Sequence, residues 1–511
     1  MRAQESTADL QEAAFHGLRW STIARPTSEL IQLGSIVVLA RLITPAEFGR
    51  YAVALIAQEI AIVIVSGGLN GALVQRERLD RSHLQAGAAL ALISGVCLAL
   101  LMLAAASLVV TPVFGARTAS FVRLMSPLCL ISAVSTVPTA MLSRRMAFRR
   151  VNEMEVANTV IRCGTSIALA LAGLHGEALV LGVLAGACTA GLIATLSAPP
   201  PLPRLRRQPA RELLDYALPA SAATVSWIGF SNVDYAIIGA RLGAVQTGLY
   251  FRAYSIAVEY QKKISVVMSQ VGFPVLSRTG SAENLARVHR EMVGLLTLVL
   301  FPLLALLAVT APTLVPFVFG KGWTSAVVPV QVLAAGGAAT LVIDAAGTAL
   351  MAMGRPRALL GFGLGHFFAY GLSVYLVVPL GLVAVAVDAA VVHTAFLVIA
   401  YALMLQGSPE RPLRRLWGDV APAVTASAGL VAAALPVYLG AGAAGFPPLP
   451  RLLCSGLAAG LAYPLTLRAL FPTVWRVQAA TVSRILPRRG RVGVRRPGPA
   501  TAESQPAAIG T

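Results

Sequence analysis

Residues 85–112 read QAGAALALISGVCLALLMLAAASLVVTP, a stretch without a charged side chain. A helix needs about 20 apolar residues to cross about 30 Å of hydrocarbon, so this stretch can span a membrane. Similar apolar blocks, separated by clusters of Gly, Pro and Arg, recur along the 511-residue chain. Dividing the chain at these clusters predicts about fourteen transmembrane helices. Twelve is the alternative, because two pairs of neighbouring blocks are not cleanly separated.

The composition supports a membrane protein along the whole chain. Hydrophobic residues make up 57% and charged residues 12%, whereas soluble proteins carry about 25% charged residues. So few charges cannot cover the surface of a soluble body of this size. A β-barrel is excluded, because its strands would alternate apolar and polar residues in units of about ten. The sequence therefore predicts an all-α polytopic membrane protein.

Basic residues are distributed unequally between the loops. The net charge is +19, and residues 144–150 alone hold four arginines, whereas loops of the other set hold single cations such as Arg41 and Lys321. An excess of Lys and Arg marks cytoplasmic loops, which places the basic loops and both termini in the cytoplasm. We attribute the charge to topology and to contact with anionic lipid headgroups, not to nucleic acid. Residues 1–16 lack the pattern of a signal peptide.

Two parts of the chain resemble each other. ARLITPAEFGRY at residues 40–51 and ARLGAVQTGLY at residues 240–250 both begin with Ala-Arg-Leu and end with Gly-x-Tyr. Val-Phe-Gly occurs at residues 113–115 and again at residues 318–320. An offset of about 200 residues predicts two parallel repeats of six helices, related by an axis along the membrane normal.

This repeat predicts the domain organisation. The predicted parts are an N-terminal six-helix lobe (1–198), a basic Pro-rich cytoplasmic linker (199–212), a C-terminal six-helix lobe (213–406), two additional transmembrane helices (407–471) and a basic cytoplasmic tail that we expect to be disordered (472–511).

The sequence contains few features that would support catalysis. No hydrophilic loop before the tail exceeds about fifteen residues, so no loop can form a folded catalytic domain. The chain has no G-x-x-x-x-G-K-S/T sequence, and its six histidines lack the spacing of a metal site. We expect no enzyme activity, no cofactor and no metal, with coupling to H⁺ or Na⁺ left open.

Ionisable residues within the predicted spans are the candidate site. Each costs about 2.5–3.5 kcal/mol at the centre of a bilayer, and those that persist usually face a bundle interior or a wet cavity. We expect a hydrated cavity between the lobes, lined by cations that bind an anionic substrate. The candidate cations are Arg25, Arg162, Arg252, Lys262 and Lys263. The acids that could pair with them or couple transport to an ion are Glu29, Glu59, Glu155, Asp234, Asp344 and Asp388.

Neutralisation within the protein is the alternative for several of these residues. Arg25 and Glu29 are four residues apart, so they share a helix face and can pair. Arg162 can likewise pair with Glu155, and Glu259 with the two neighbouring lysines at 262 and 263. The three aspartates could instead bind a coupling cation or proton.

Several loop motifs resemble one transporter family. They lie at the ends of several predicted spans, on both sides of the membrane. The motifs are ARLITPAEFG (40–49), SGGLNGALVQR (66–76), GLYFRAY (248–254), GFPVLSR (272–278) and Phe319-Gly320 with Trp323. Over residues 15–405 the chain resembles the Wzx-like flippases, which form the polysaccharide-transport branch of the multidrug/oligosaccharidyl-lipid/polysaccharide (MOP) exporter superfamily.

The resemblance implies a flippase of the bacterial inner membrane with a V-shaped cavity that opens alternately to each side. It implies that an undecaprenyl-diphosphate-linked oligosaccharide, such as an O-antigen, capsule or exopolysaccharide repeat unit, moves from the cytoplasmic to the periplasmic leaflet. It also implies contact with membrane lipids, with a polysaccharide polymerase and with a chain-length regulator.

Three other functions fit the sequence less well. A cation-coupled drug antiporter of the same superfamily would favour an acidic, aromatic cavity, whereas the spans here are net positive and aromatic residues make up only 6%. A membrane enzyme of glycan polymerisation would need a large outer loop. A structural scaffold would leave the charges within the spans unexplained.

Overall fold

The computed structural model describes residues 26–259, 282–406 and 410–476, and these residues form helices and turns without a β-strand. Ten of the described helices are long and apolar enough to cross a membrane. The prediction of an all-α multi-pass membrane protein is therefore confirmed. The number of spans and the two-fold repeat stay predictions.

The first half of the chain contains six long helices in sequence. Proline at the first position of the second helix suits its start, because its fixed φ is compatible with a helix and its missing N–H would have no partner there. The helices are α1 (residues 26–42), α2 (Pro45–Gln75), α3 (Arg81–Phe114), α4 (Ala116–Arg144), α5 (Phe148–Leu171) and α6 (Glu177–Ser197).

The second half begins with a helix that Gly243 interrupts. Gly243 has φ 81° and ψ 179°, a conformation essentially restricted to glycine, so the chain reverses there and two helices result. The described helices are α7 (residues 207–242), α8 (residues 244–259), α9 (Ala282–Phe319), α10 (Val327–Ala352), α11 (Pro356–Val377), α12 (Leu382–Met404), α13 (Pro412–Ala443) and α14 (Pro448–Leu470).

Alternating helix directions place the turns on two faces. We call the face with the arginine-rich loops the basic face; its described turns are residues 76–80, 145–147, 198–206, 353–355, 405–406 and 410–411. The other is the opposite face, with turns at residues 43–44, 115, 172–176, 243, 320–326, 378–381 and 444–447.

Arginines of the basic face hydrogen-bond to the ends of helices. The Arg144 guanidinium donates to the carbonyl oxygens of Val74 and Glu77, each at 3.0 Å, where α2 ends. Arg355 donates to the carbonyl oxygen of Leu403 at 3.2 Å, near the end of α12. The last carbonyls of a helix have no partner within the helix, so these arginines satisfy them and oppose the negative end of its dipole.

The last two helices pack against the second half. On α14, the Tyr463 hydroxyl donates to the carbonyl oxygen of Leu298 at 2.8 Å, and Tyr438 on α13 lies 2.7 Å from the Thr313 hydroxyl. Both partners belong to α9. This hairpin of helices is therefore attached through α9.

A substitution at Gly320 tests the turn before α10. Gly320 has φ 97° and ψ 167°, so Gly320→Ala should destabilise the protein by about 1–3 kcal/mol. Thermal unfolding of the detergent-solubilised chain measures the loss. Gly322→Ala is the control, because an added Cβ there meets no atom within 4 Å. Equal unfolding temperatures for the two variants would contradict the interpretation.

Candidate functional site between the two halves

The first turns of α2 and α8 are in backbone contact at the opposite face. A Cβ atom added to Gly49 would lie 1.8 Å from the carbonyl oxygen of Ala244, and one added to Gly248 would lie 1.8 Å from that of Pro45. Non-bonded carbon contacts are optimal at about 3.5–4.0 Å, so only glycine allows this approach. These are the glycines of the two Gly-x-Tyr sequences, which therefore pack against each other.

Beside this contact, hydrogen bonds join α1 to the end of α9 and to the turn that follows it. The indole N–H of Trp323 donates to the carbonyl oxygen of Ala40 at 2.7 Å, and Nε of Arg41 donates to that of Val318 at 3.0 Å. Each bond joins the first half to the second, so the halves are closed against each other at this face. We call the following residues the opposite-face contact: Arg41, Gly49, Gly248 and Trp323.

Arg252, an expected cavity cation, lies behind the opposite-face contact and is only 4% exposed. Its guanidinium carbon lies 4.5 Å from the ring centroid of Phe48 and 5.8 Å from that of Trp323. The rings of Phe251 and Phe319 follow at 5.7 and 5.9 Å. Aromatic faces attract cations, so these rings stabilise the buried charge. In this conformation Arg252 does not line an open surface.

Arg162 on α5, Glu59 on α2 and Glu259 on α8 lie at intermediate depth and are half-buried. At 1.5 Å per residue they are about 14 to 22 Å from the opposite face. Tyr51 lies near both Arg162 and Glu59, and Glu59 lies near Glu259. Within the described residues, Arg162 forms no ion pair and no side-chain hydrogen bond. Its N–H donors therefore have no acceptor among the described residues.

The other predicted charges lie partly outside the described residues. Three lie outside the described residues: Arg25, Lys262 and Lys263. Glu155 is exposed on α5 and forms no ion pair with Arg162 in the described chain, so this suggested pair is absent from the conformation seen here. Glu29 on α1 and Asp344 on α10 are half-buried.

Asp234, buried on α7, is the centre of a hydrogen-bonded cluster. Its carboxylate accepts from the hydroxyls of Tyr250 at 2.9 Å and Tyr370 at 3.0 Å, and from the backbone N–H of Tyr235 at 2.9 Å. A buried carboxylate without such donors would be costly, so the two hydroxyls stabilise its position. The cluster joins α7, α8 and α11.

Asp388 approaches the same helix, α11, from α12. The Ser373 hydroxyl donates to Asp388 at 2.8 Å and lies 2.9 Å from the carbonyl oxygen of Tyr370. The His366 ring stacks on that of Tyr370 with centroids 5.9 Å apart, and the His393 ring lies 5.0 Å from that of His366. No group of three or more potential metal-ligating His, Cys, Asp or Glu residues occurs in the described chain.

A second contact between the halves lies at the basic face. Glu212, near the start of α7, pairs with Arg76 and lies 3.2 Å from His83 Nε2. His83 Nδ1 lies 3.3 Å from the Asp80 backbone N–H and accepts from it, which leaves Nε2 as the donor. The hydrogen bond from His83 and the nearby Arg76 charge hold the pKa of the Glu212 carboxyl below its usual value.

A buried ion cluster around Asp419 was not predicted. Asp419 on α13 accepts from the Tyr401 hydroxyl at 3.2 Å and from Arg290 at 3.3 Å, and Arg415 lies 3.3 Å away on the same helix. The spacing of Arg415 and Asp419 was a usable signal, because residues four apart share a helix face. Arg290 is 129 residues away, and no local pattern connects it to them.

Residues 38–328 match a family described as polysaccharide biosynthesis proteins. Among relatives, the chain is 25% identical over 375 residues to the teichuronic acid biosynthesis protein TuaB of Bacillus subtilis (strain 168), covering 71% of this chain and 76% of TuaB. It is 24% identical over 364 residues to the lipopolysaccharide biosynthesis protein WzxC of Escherichia coli (strain K12), covering 68% and 71% of the two chains. The resemblance drawn from the loop motifs is confirmed.

Among solved structures, the chain resembles the lipid II flippase MurJ in an inward closed conformation. The TM-score is 0.69 at 12% sequence identity, and the match covers 88% of this chain and 99% of MurJ. At this identity the likeness supports the fold.

A substitution at Tyr370 tests the Asp234 cluster. Tyr370→Phe should destabilise the protein by about 1–3 kcal/mol, because a buried carboxylate loses a donor. Thermal unfolding in detergent measures the change. Tyr375→Phe is the control on the same helix, since Tyr375 is 49% exposed and its hydroxyl accepts only from exposed Arg241 among the described residues. Equal losses for both variants would contradict a special role for the cluster.

Proposed function

The chain belongs to the family of polysaccharide biosynthesis proteins, and from that premise we propose that it is a flippase for a lipid-linked oligosaccharide. It is a transporter and not an enzyme. The proposed cargo is an oligosaccharide joined through a diphosphate to undecaprenyl lipid, such as an O-antigen, capsule or exopolysaccharide repeat unit. It moves from the cytoplasmic to the periplasmic leaflet of the bacterial inner membrane, where the basic face and both termini are cytoplasmic.

The observation that supports this proposal best is the position of Arg162. It is a half-buried cation with no ion pair among the described residues, and it lies beneath the opposite-face contact. Moving a diphosphate and several sugars through hydrocarbon would strip them of hydration at high cost. A polar cleft between the lobes lowers that cost. Guanidinium binds phosphate oxygens in a bidentate manner and stays charged, which suits Arg162 to the diphosphate.

We propose that the remaining cations also bind the anionic cargo. Arg25, Lys262 and Lys263 add positive charge along the cleft. Arg252 becomes available when the opposite-face contact opens, since that contact and its aromatic rings now cover it. Glu29, Glu59 and Glu155 balance part of the charge while the cleft is empty.

Alternating access requires the opposite-face contact to separate. We propose that residues 1–198 and 213–406 move as two lobes about the linker 199–212, with the helices of residues 407–471 carried on the second lobe. The opposite-face contact also includes apolar side chains of both halves, such as Phe48 and Trp323, in one buried cluster, so opening must expose these side chains as well as break the hydrogen bonds.

The aspartates are proposed to couple this motion to H⁺ or Na⁺. Asp234 is the strongest candidate, because it is buried and its two tyrosine partners come from different helices. Asp344 and Asp388 are the others. A polysaccharide polymerase and a chain-length regulator are the proposed protein partners.

Reconstitution into liposomes tests the cargo and the cation site. The protection of a labelled diphospholipid oligosaccharide from an impermeant quencher reports transport. Arg162→Gln should slow transport about 10- to 100-fold, because a charged hydrogen bond contributes about 1.5–3 kcal/mol. Arg123→Gln is the control, since Arg123 is exposed and bonds only to the Ser107 hydroxyl among the described residues.

Two results would overturn parts of the proposal. If Arg162→Gln, Arg25→Gln and Lys262→Gln all moved the cargo at the natural rate, the cation site would be wrong. If the natural protein moved cationic drugs and left the glycolipid in place, the drug antiporter would replace the flippase.

A substitution at Gly49 tests the closing of the opposite face. The added Cβ of Gly49→Ala cannot fit 1.8 Å from a backbone oxygen, so α2 and α8 must separate. Ala40 is 4% exposed here; in a chain whose native cysteines are replaced, an impermeant maleimide should label Ala40→Cys at least about tenfold faster when Gly49→Ala is added. Gly34→Ala is the control, with no atom within 4 Å. Equal labelling with either alanine would contradict the role of the contact.

A further inference from the structure

We propose that the basic-face ends of α4, α5 and α6 bind the phosphodiester headgroup of an anionic phospholipid. A pocket of about 670 Å³ opens between these ends. Arg145 and Arg150 line it together with the apolar side chains of Leu142, Ile193 and Leu196. We call these five residues the headgroup pocket. The inference does not depend on the transported cargo.

The apolar side of the headgroup pocket has a closed floor and an open rim. Leu142 is 3% exposed and belongs to a small buried cluster with Met154 and Ala194, which closes the pocket toward the protein interior. Leu196 is 73% exposed at the rim. An apolar residue this exposed at the end of a membrane helix offers a surface for an acyl chain.

The cationic side carries an excess of positive charge. Arg145 is exposed, and within the described residues it has no ion pair and no side-chain hydrogen bond. Arg150 shares the carboxylate of Glu153 with Arg149, at 2.7 and 2.9 Å. Arg145 therefore adds a positive charge that pairs with no carboxylate of the described residues, and this charge attracts an anion to the pocket.

The turn between α4 and α5 holds Arg145 at the rim. Met146 has φ 52°, and the Ala147 backbone N–H donates to the carbonyl oxygen of Leu142 at 3.0 Å. Glycine usually occupies such a left-handed position after a helix, because other residues adopt this backbone conformation at a cost in free energy. Here methionine adopts it, which places an exposed apolar side chain directly beside Arg145. This combination suits the interface between headgroups and acyl chains.

A lipid explains both sides of the pocket, whereas free phosphate would use the arginines alone. The arginine-rich face is the predicted cytoplasmic face, and anionic lipids of that leaflet attract clustered basic residues beside membrane helices. The phosphodiester would lie between Arg145 and Arg150, and an acyl chain would lie along Ile193 and Leu196.

Native mass spectrometry of the full chain tests this site. The protein is released from vesicles of phosphatidylethanolamine with phosphatidylglycerol, and retained phosphatidylglycerol is counted. Replacing both arginines (Arg145→Gln with Arg150→Gln) should lower retention about 30-fold, because each basic residue near the surface contributes about fivefold. Arg78→Gln is the control for charge, since Arg78 is exposed on the same face and does not line the pocket. Thermal unfolding confirms that each variant is folded.

Two further retention measurements identify the ligand. Leu196→Ser should lower phosphatidylglycerol retention severalfold, and millimolar inorganic phosphate should not displace the lipid. Equal retention in the double-arginine variant and in Arg78→Gln would overturn the site. Displacement by inorganic phosphate, with no effect of Leu196→Ser, would replace the lipid by a soluble phosphate compound and would also overturn the proposal.

Discussion

The backbone contact between Gly49 and Gly248 is the constraint on which the joining of the two halves depends. It brings α2 against α8 at the opposite face, and a second close approach, between Gly68 and the carbonyl oxygen of Ala217, brings α2 against α7. The Gly68 N–H also donates to the Ser221 hydroxyl at 3.2 Å. With both ends held, α2 carries Glu59 into the space between the halves.

Positive charge has different roles at different depths. At the basic face, Arg144 and Arg355 satisfy helix-end carbonyls, so the charges that set topology also hold helices together. Near the opposite face, Arg252 is stabilised by aromatic rings. Between them, Arg162 keeps its donors unused within the described chain. A cation at this depth costs free energy unless something binds it, which is why we connect Arg162 with an anionic cargo.

The sequence predicted the type of fold and the family, but the candidate site only in part. It identified Arg252 and Asp234 as unusual, because charges within apolar spans are visible without a structure. It did not predict the aromatic rings around Arg252, which come from α2, α8, the end of α9 and the turn before α10, or the tyrosines around Asp234. It also identified the two Gly-x-Tyr sequences as similar, without indicating that they touch. Several of these partners, such as Phe48 with Arg252 and Tyr370 with Asp234, are separated by more than a hundred residues, and no helical periodicity connects them.

The membrane-spanning character was determined by the sequence itself. The length of an apolar block and the number of arginines in a loop are local properties. They determine membrane insertion and orientation without contacts to the rest of the chain. Which helices touch, and therefore which charges are covered, was decided only by the tertiary structure. In a membrane, lipid tails are as apolar as leucine side chains, so burial alone cannot select one helix pair over another. Close backbone packing at glycine and a few hydrogen bonds make that selection, and both exist only after the helices have met.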